Sequence, residues 1–247
     1  MYVPGDESVM QGASDAQMSG ARGGPIITLD GPAGAGKSTT AKEVAARLKF
    51  RHLDSGSLYR ALTFALLESG VPEDAWAGLS EDALRSLEVR VASTPTDFQV
   101  TVGGRVVEAE LRAPRVTERV ARLASLPAVR ASLLSLQRMA GRDGRLVADG
   151  RDMGTVVFPG AEVKVYLVAE LGERARRRLL DLGVAHPTDD DLATLSESIS
   201  ERDQQDAERK ISPLRRPERA HLIDTTRLSF AEQVDAIVAL AERLTPQ

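Results

Sequence analysis

Residues Gly31, Pro32, Ala33, Gly34, Ala35, Gly36, Lys37 and Ser38 satisfy the pattern G-x-x-x-x-G-K-[ST] at every fixed position. Glycines let successive backbone N–H groups turn inward around phosphate oxygens. A helix beginning near Lys37 adds the positive end of its dipole to the same anion. Lys37 offers a mobile point charge to the β and γ phosphates, and the Ser38 hydroxyl is a hard ligand for Mg²⁺. The chemistry expected of residues 31–38, with Thr39 next to them, is the binding of ATP with its metal ion.

A phosphate loop does not name the group that receives the phosphate. Guanine-specific switches usually carry Asn-Lys-x-Asp, and this chain has no asparagine. It has instead arginines suited to a second anion site, at Arg60, Arg112, Arg130, Arg151, Arg202 and Arg209. Planar guanidinium groups bind phosphate through paired hydrogen bonds, as a phosphorylated acceptor requires. For Arg112, Arg85 and Arg119 a solvated surface position is the better expectation. The block Glu173 to Arg178 places arginines on successive helical turns, where they can close over the donor phosphates. Asp54 and Asp149 each end an apolar run; each is open either to orienting metal-bound water or to capping a helix.

These residues need elements to hold them. Ile26 to Asp30 reads as a buried strand, and Lys37 to Leu48 has helical spacing, which is the strand, loop and helix order of a phosphate loop. Helices are expected over 57–69, 80–88, 172–183 and 189–208, and over 114–140 with a break at Pro127. Strands are expected at 146–148, 163–168 and 221–224. Between Leu87 and Val107 the period changes to two, with turns at Thr94–Asp97 and Gly103-Gly104, which predicts a three-stranded antiparallel meander. Ser229 and Glu232 form a capping box for a last helix with Phe230, Val234, Ile237, Val238, Ala241 and Leu244 on one face. In an open parallel sheet, ligands lie beyond the carboxyl ends of the strands, so the segments after Leu53 and Ala148 should meet Lys37 in one crevice.

Composition narrows the rest. The 247 residues carry a net charge of −4, which argues against a general nucleic-acid binder. The absence of cysteine excludes disulfides, thiolate catalysis and Cys-ligated zinc. No apolar run is long enough for a membrane span, and residues 1–24 lack the apolar stretch of a signal peptide. A cytoplasmic monomer with residues 1–24 as a flexible extension is the expectation. His52, His186 and His221 are too scattered to suggest a metal site, and Trp76 is expected to cover a local patch.

The combination of GPAGAGKST, LDSGSLYRALT, VADGRDMGTVVFP, ERARRR and ERDQQDAERKISPL resembles bacterial cytidylate kinases over about residues 25–244. The resemblance implies an α/β P-loop fold with a central parallel sheet flanked by helices, a small antiparallel insertion at about 80–110 in the acceptor-binding region, and a helical lid at about 170–188. It implies transfer of a phosphoryl group from ATP with Mg²⁺ to CMP or dCMP. Arg60, Arg151 and Arg209 match arginines holding the acceptor phosphate. Ser55, Arg130 and Asp152 match acceptor contacts, the last two at the base. Arg202 and Asp206 match the sugar-side pair, and Arg177 and Arg178 match lid arginines. Lys37, Arg151, Arg177 and Arg178 would carry catalysis. One position departs from the pattern: Ala121 stands where the family commonly has a serine. A kinase for another small acceptor, such as UMP or shikimate, and a nucleotide-binding regulator with little turnover remain the alternatives.

Overall fold

The computed structural model describes residues 23–94 and 97–245. Five parallel strands form the central sheet in the order β2 (Arg51–Asp54), β6 (Leu146–Gly150), β1 (Ile26–Asp30), β7 (Val163–Val168) and β8 (His221–Asp224). Their parallel pairing requires crossover connections, which the helices supply. Alternate residues of β1 point to opposite faces. Ile27 and Leu29 join Val147, Val163 and Val165 under α1 (Lys37–Leu48) and α9 (Phe230–Leu244). Ile26 joins Leu146 and Ala148 under α2 (Ser55–Ser69) and α6 (Pro127–Ala140) on the other side. Each such fully buried side chain contributes roughly 1.5–3 kcal/mol, so both layers press on the strand that precedes the phosphate loop.

The antiparallel meander is present as β3 (Val89–Ser93), β4 (Phe98–Val102) and β5 (Arg105–Val106). Of the expected turn at 94–97, Pro95 and Thr96 lie outside the described residues, as do residues 1–22 of the expected extension. The short helix α3 (Glu81–Arg85) precedes the meander. Helices α7 (Leu171–Asp181) and α8 (Asp189–Glu208) pack on each other near the carboxyl ends of β1 and β7.

Three expectations need correction. Helix α2 begins at Ser55 rather than 57, because the Asp54 carboxylate accepts from the Ser57 backbone N–H and hydroxyl and so caps it two residues earlier. The stretch 114–140 is three helices, α4 (Pro114–Thr117), α5 (Val120–Leu123) and α6. Pro127 starts α6 as expected, since its missing N–H is not needed there, but the break at Glu118–Arg119 bears no proline or glycine. In α9 the capping box forms and Val234, Ile237 and Ala241 are buried, yet Phe230 and Leu244 at its two ends face solvent. Trp76 is buried in the core and donates its indole N–H to the Val71 carbonyl at 3.1 Å.

Candidate active site

The phosphate loop leaves β1 through Gly31, whose φ of +147° and position leave no room for a side chain: a Cβ would lie 2.1 Å from the Leu167 carbonyl oxygen on β7. Gly36, with φ +79°, turns the chain into α1. Thr40 ties the loop to its helix by donating to the Gly36 carbonyl at 2.7 Å, and Gln233 of α9 donates in turn to Thr40. The Lys37 ammonium is buried and donates to the Pro32 carbonyl at 2.6 Å. Burial, then the nearby Arg151 charge, push Lys37 well below its ordinary pKa, while Asp149, Asp203 and Asp30 pull the other way. A polyanion in the loop would relieve that cost.

Beside the loop, the Ser38 hydroxyl donates to Asp149 Oδ2 at 2.5 Å, and His52 Nε2 lies 2.8 Å from Asp149 Oδ1. The two aspartates that the sequence left open therefore separate: Asp54 caps α2, and Asp149 faces the loop. Among the described residues no group of three or more His, Cys, Asp or Glu could hold a metal ion by itself. One hydroxyl and one carboxylate are the hard oxygen donors that suit Mg²⁺ shared with nucleotide phosphates.

The acceptor side is a field of arginines. Asp206 accepts from Arg151 at 2.8 Å and also from Arg209. Burial alone would raise the Asp206 carboxyl, but Arg151 and Arg209 hold it below the usual range. Arg202 is pushed down to about 10 by burial and then by Arg151, and its buried Nε–H has no acceptor. Arg60 is lowered by burial, partly offset by Asp54, and then by Arg151, Arg112 and Arg178. Arg112 is exposed as expected, but its charge reaches this cluster; Arg85 and Arg119 pair with surface glutamates and do not. Deeper still, the Arg130 and Asp152 side chains pair directly while buried. Arg130 also donates to the Ala124 carbonyl at 3.0 Å and sits 5.4 Å from the Tyr59 ring centre. Ser55 is buried against Gly150 at the end of β6, where a Cβ would come within 2.5 Å of its hydroxyl.

Above the loop, Arg177 donates to the Thr225 hydroxyl and carbonyl at 3.0 and 2.6 Å. Arg178 faces Arg60 closely enough to lower it. The fold thus brings the sequence-predicted residues 31–39, Ser55, Arg60, Arg130, Arg151, Asp152, Arg177, Arg178, Arg202, Asp206 and Arg209 to one end of the sheet. Four neighbours have no individual role in the sequence reading. Arg174 donates to the Ala33 carbonyl at 2.8 Å, and Asp203 accepts from the Ala33 N–H at 2.8 Å. Tyr59 and His52 complete the set; Tyr59 is pushed up to about 12 by burial. Arg174, Asp203 and Tyr59 lie inside the quoted motifs, so proximity in sequence was the available signal. His52 has no motif to mark it, because it meets Asp149 only through the pairing of β2 with β6.

The chain is similar to known proteins over nearly all of its described length. The family model described as cytidylate kinase matches residues 27–243. A cytidylate kinase from Chloroherpeton thalassium is 39% identical, over 90% of this chain and 95% of its own. One from Exiguobacterium sibiricum is 42% identical, over 87% of this chain and 96% of its own. A bifunctional pantoate ligase/cytidylate kinase from Synechococcus is 45% identical over 89% of this chain, which spans only 41% of that longer protein. Among solved structures, TT1252 from Thermus thermophilus covers 90% of this chain and 99% of its own at 19% identity and a TM-score of 0.42, too loose a match to support an argument. With a family match across nearly all of the described sheet and site, the chain belongs to the cytidylate kinase family.

Proposed function

We propose that this chain transfers the γ-phosphoryl group of ATP to CMP, and to dCMP, giving ADP and the nucleoside diphosphate. The observation that carries the proposal is the imbalance of charge at the acceptor end. Arg60, Arg130, Arg151, Arg202 and Arg209 are answered there chiefly by the carboxylates of Asp152 and Asp206, and several of these arginines lower one another. A cluster of mutually repelling cations favours a dianion.

The attacking atom is a phosphate oxygen of CMP, already anionic at neutral pH, so no general base is required. The protein's work is to align two polyanions and offset their repulsion. Lys37 and the backbone N–H groups of residues 34–39 hold the donor. Arg60, Arg151 and Arg209 hold the acceptor phosphate, with Ser55 beside it, and Arg202 with Asp206 takes the sugar. Asp152 accepts from the exocyclic amine of cytosine while Arg130 faces the ring's acceptor edge; a uracil carbonyl would oppose the carboxylate with a second acceptor. Ser38, with Asp149 behind it, would hold Mg²⁺, which when bound would supply positive charge to the transferring group. Helix α7 brings Arg177 and Arg178 over the donor as a lid and excludes water. All these groups come from one chain, so the reading requires no second copy. Among the described residues no helix is long and apolar enough to cross a membrane.

The test is ADP release from ATP and Mg²⁺ across CMP, dCMP, UMP, AMP and shikimate. CMP and dCMP should drive release, UMP roughly tenfold less efficiently or worse, as expected when two acceptors oppose. UMP or shikimate as best acceptor would overturn the base assignment, and ATP binding without acceptor-driven release would leave a regulator.

A further inference from the structure

His52 lies on β2, separated from the phosphate-loop strand β1 by β6, and its side chain is almost wholly buried. Its Nε2 approaches Asp149 Oδ1 at 2.8 Å, while Asp149 Oδ2 takes the Ser38 hydroxyl at 2.5 Å. A carboxylate only accepts hydrogen bonds, so the imidazole proton belongs on Nε2. The other ring nitrogen, Nδ1, faces Asp97 Oδ1 at 3.9 Å, and the backbones of His52 and Asp97 form an isolated parallel bridge. A buried carboxylate needs donors to stay in place. Ser38 and His52 are the two side-chain donors Asp149 has among the described residues. Because the Ser38 O–H donates to Asp149, the lone pairs of the Ser38 oxygen stay free for a cation.

We propose that His52 is a positioning residue for the metal end of the phosphate loop: its Nε2–H fixes the Asp149 carboxylate, which in turn fixes the Ser38 hydroxyl as a ligand for the magnesium ion of bound ATP. The proposal rests on the reading of residues 31–39 as an ATP–Mg²⁺ site. A histidine that merely fills the core beneath β2 would stabilise the fold without affecting the metal. A positioning histidine affects the coupling between metal and nucleotide, and that coupling is a ratio of two affinities.

The experiment measures ATP affinity of the full chain with saturating Mg²⁺ and again in chelator, for the native protein, His52→Phe and His52→Gln. In His52→Phe the ratio of the two affinities should fall about tenfold or more, the effect of losing one donor to a buried charge. Affinity in chelator should stay within about twofold of native. His52→Gln, whose amide N–H occupies a similar place to Nε2, should recover most of the ratio. An unchanged ratio in His52→Phe, or an equal loss in both variants, overturns the proposal. Should His52→Phe fail to fold, nitrogen-15 spectra of the native imidazole replace it: the Nε2–H tautomer is expected, with a resonance that moves on adding Mg²⁺–ATP but not ATP in chelator. A resonance indifferent to the metal overturns the proposal. If the native protein itself binds ATP no better with Mg²⁺, the ATP–Mg²⁺ reading of the loop fails, and the role of His52 falls with it.

Discussion

The donor end of the site is nine consecutive residues, 31–39, whereas the acceptor end is gathered from four stretches between Ser55 and Arg209. The first is mostly backbone. Its shape is set by positive φ angles at Gly31, Gly34 and Gly36, and is pinned by Thr40, Gln233, Arg174 and Asp203. The second is mostly side chain. Three of its guanidinium groups, Arg130, Arg151 and Arg209, are held by the carboxylates of Asp152 and Asp206. The difference teaches how each end pays for anion binding. N–H groups in a fixed loop point at the phosphate without carrying net charge, so they cost little when empty. Arginines carry charge into a buried site, which costs more unless a carboxylate stands in as partner.

The sharpest way to break this comparison is at a stand-in partner. Asp152→Asn removes the carboxylate that both pairs with Arg130 and is assigned to cytosine. The preference for CMP over UMP should narrow by about tenfold or more, and the buried Arg130 charge should lose roughly 3–5 kcal/mol of support, lowering the melting temperature. Steady-state kinetics on both acceptors and a thermal melt check it; a CMP preference that survives intact would place the base elsewhere.

Asp30 lies between the two ends. It accepts from the Met153 and Gly154 N–H groups at 2.8 Å each, and so seats the turn that follows Asp152. Burial raises its pKa from 3.8 to about 7 against the lowering effect of those two bonds. The folded protein therefore keeps a proton that the unfolded chain releases near pH 4. Stability should fall as pH rises from about 4 to about 7. Asp30→Asn, neutral throughout, should flatten that slope in melts run from pH 4 to 8. His52, which burial lowers but the carboxylates of Asp149, Asp54 and Asp97 raise further, contributes with the same sign and remains in the variant. An unchanged slope would mean that Asp30 is ionised in the fold.

The smallest expected effect concerns Ala121, half-buried on α5 beside the segment whose Ala124 carbonyl holds Arg130. Ala121→Ser adds one hydroxyl and should raise the CMP-to-UMP efficiency ratio a few-fold, the worth of about one neutral hydrogen bond. ATP affinity should not change. A ratio that stays the same would mean that residue 121 does not reach the base.

The same contrast explains what could be read from the chain beforehand. The donor loop is local, so its motif, strand and helix were visible in order. The meander and the capping box of α9 were visible because a two-residue period and a Ser–Glu pair are local signals too. The acceptor residues were picked out singly as arginines, but their grouping came from likeness to a family, because no spacing links Arg60 to Arg209. Contacts across strands left no local trace. His52 meets Asp149 only because β2 pairs with β6, and Asp203 meets Ala33 only because α8 folds over the loop. The break at Glu118–Arg119 has no signal residue at all, and the solvent-facing Phe230 shows that the first helical residue inside a capping box need not share the apolar stripe.

The central claim is that two chemically different ends hold two different anions, and separate binding measurements on two variants test it most directly. Lys37→Met removes the donor loop's own cation. Arg60→Met removes an acceptor-side guanidinium that has no hydrogen-bond partner among the described residues, so no intramolecular pair is broken with it. Calorimetric titration with CMP alone and with Mg²⁺–ATP alone should show a crossover. Arg60→Met should lose roughly tenfold or more in CMP affinity and keep ATP, as expected for a charge-assisted contact. Lys37→Met should keep CMP and lose ATP, with turnover down by orders of magnitude. Equal losses of both ligands in both variants would contradict the account and make the two ends a single undivided anion site.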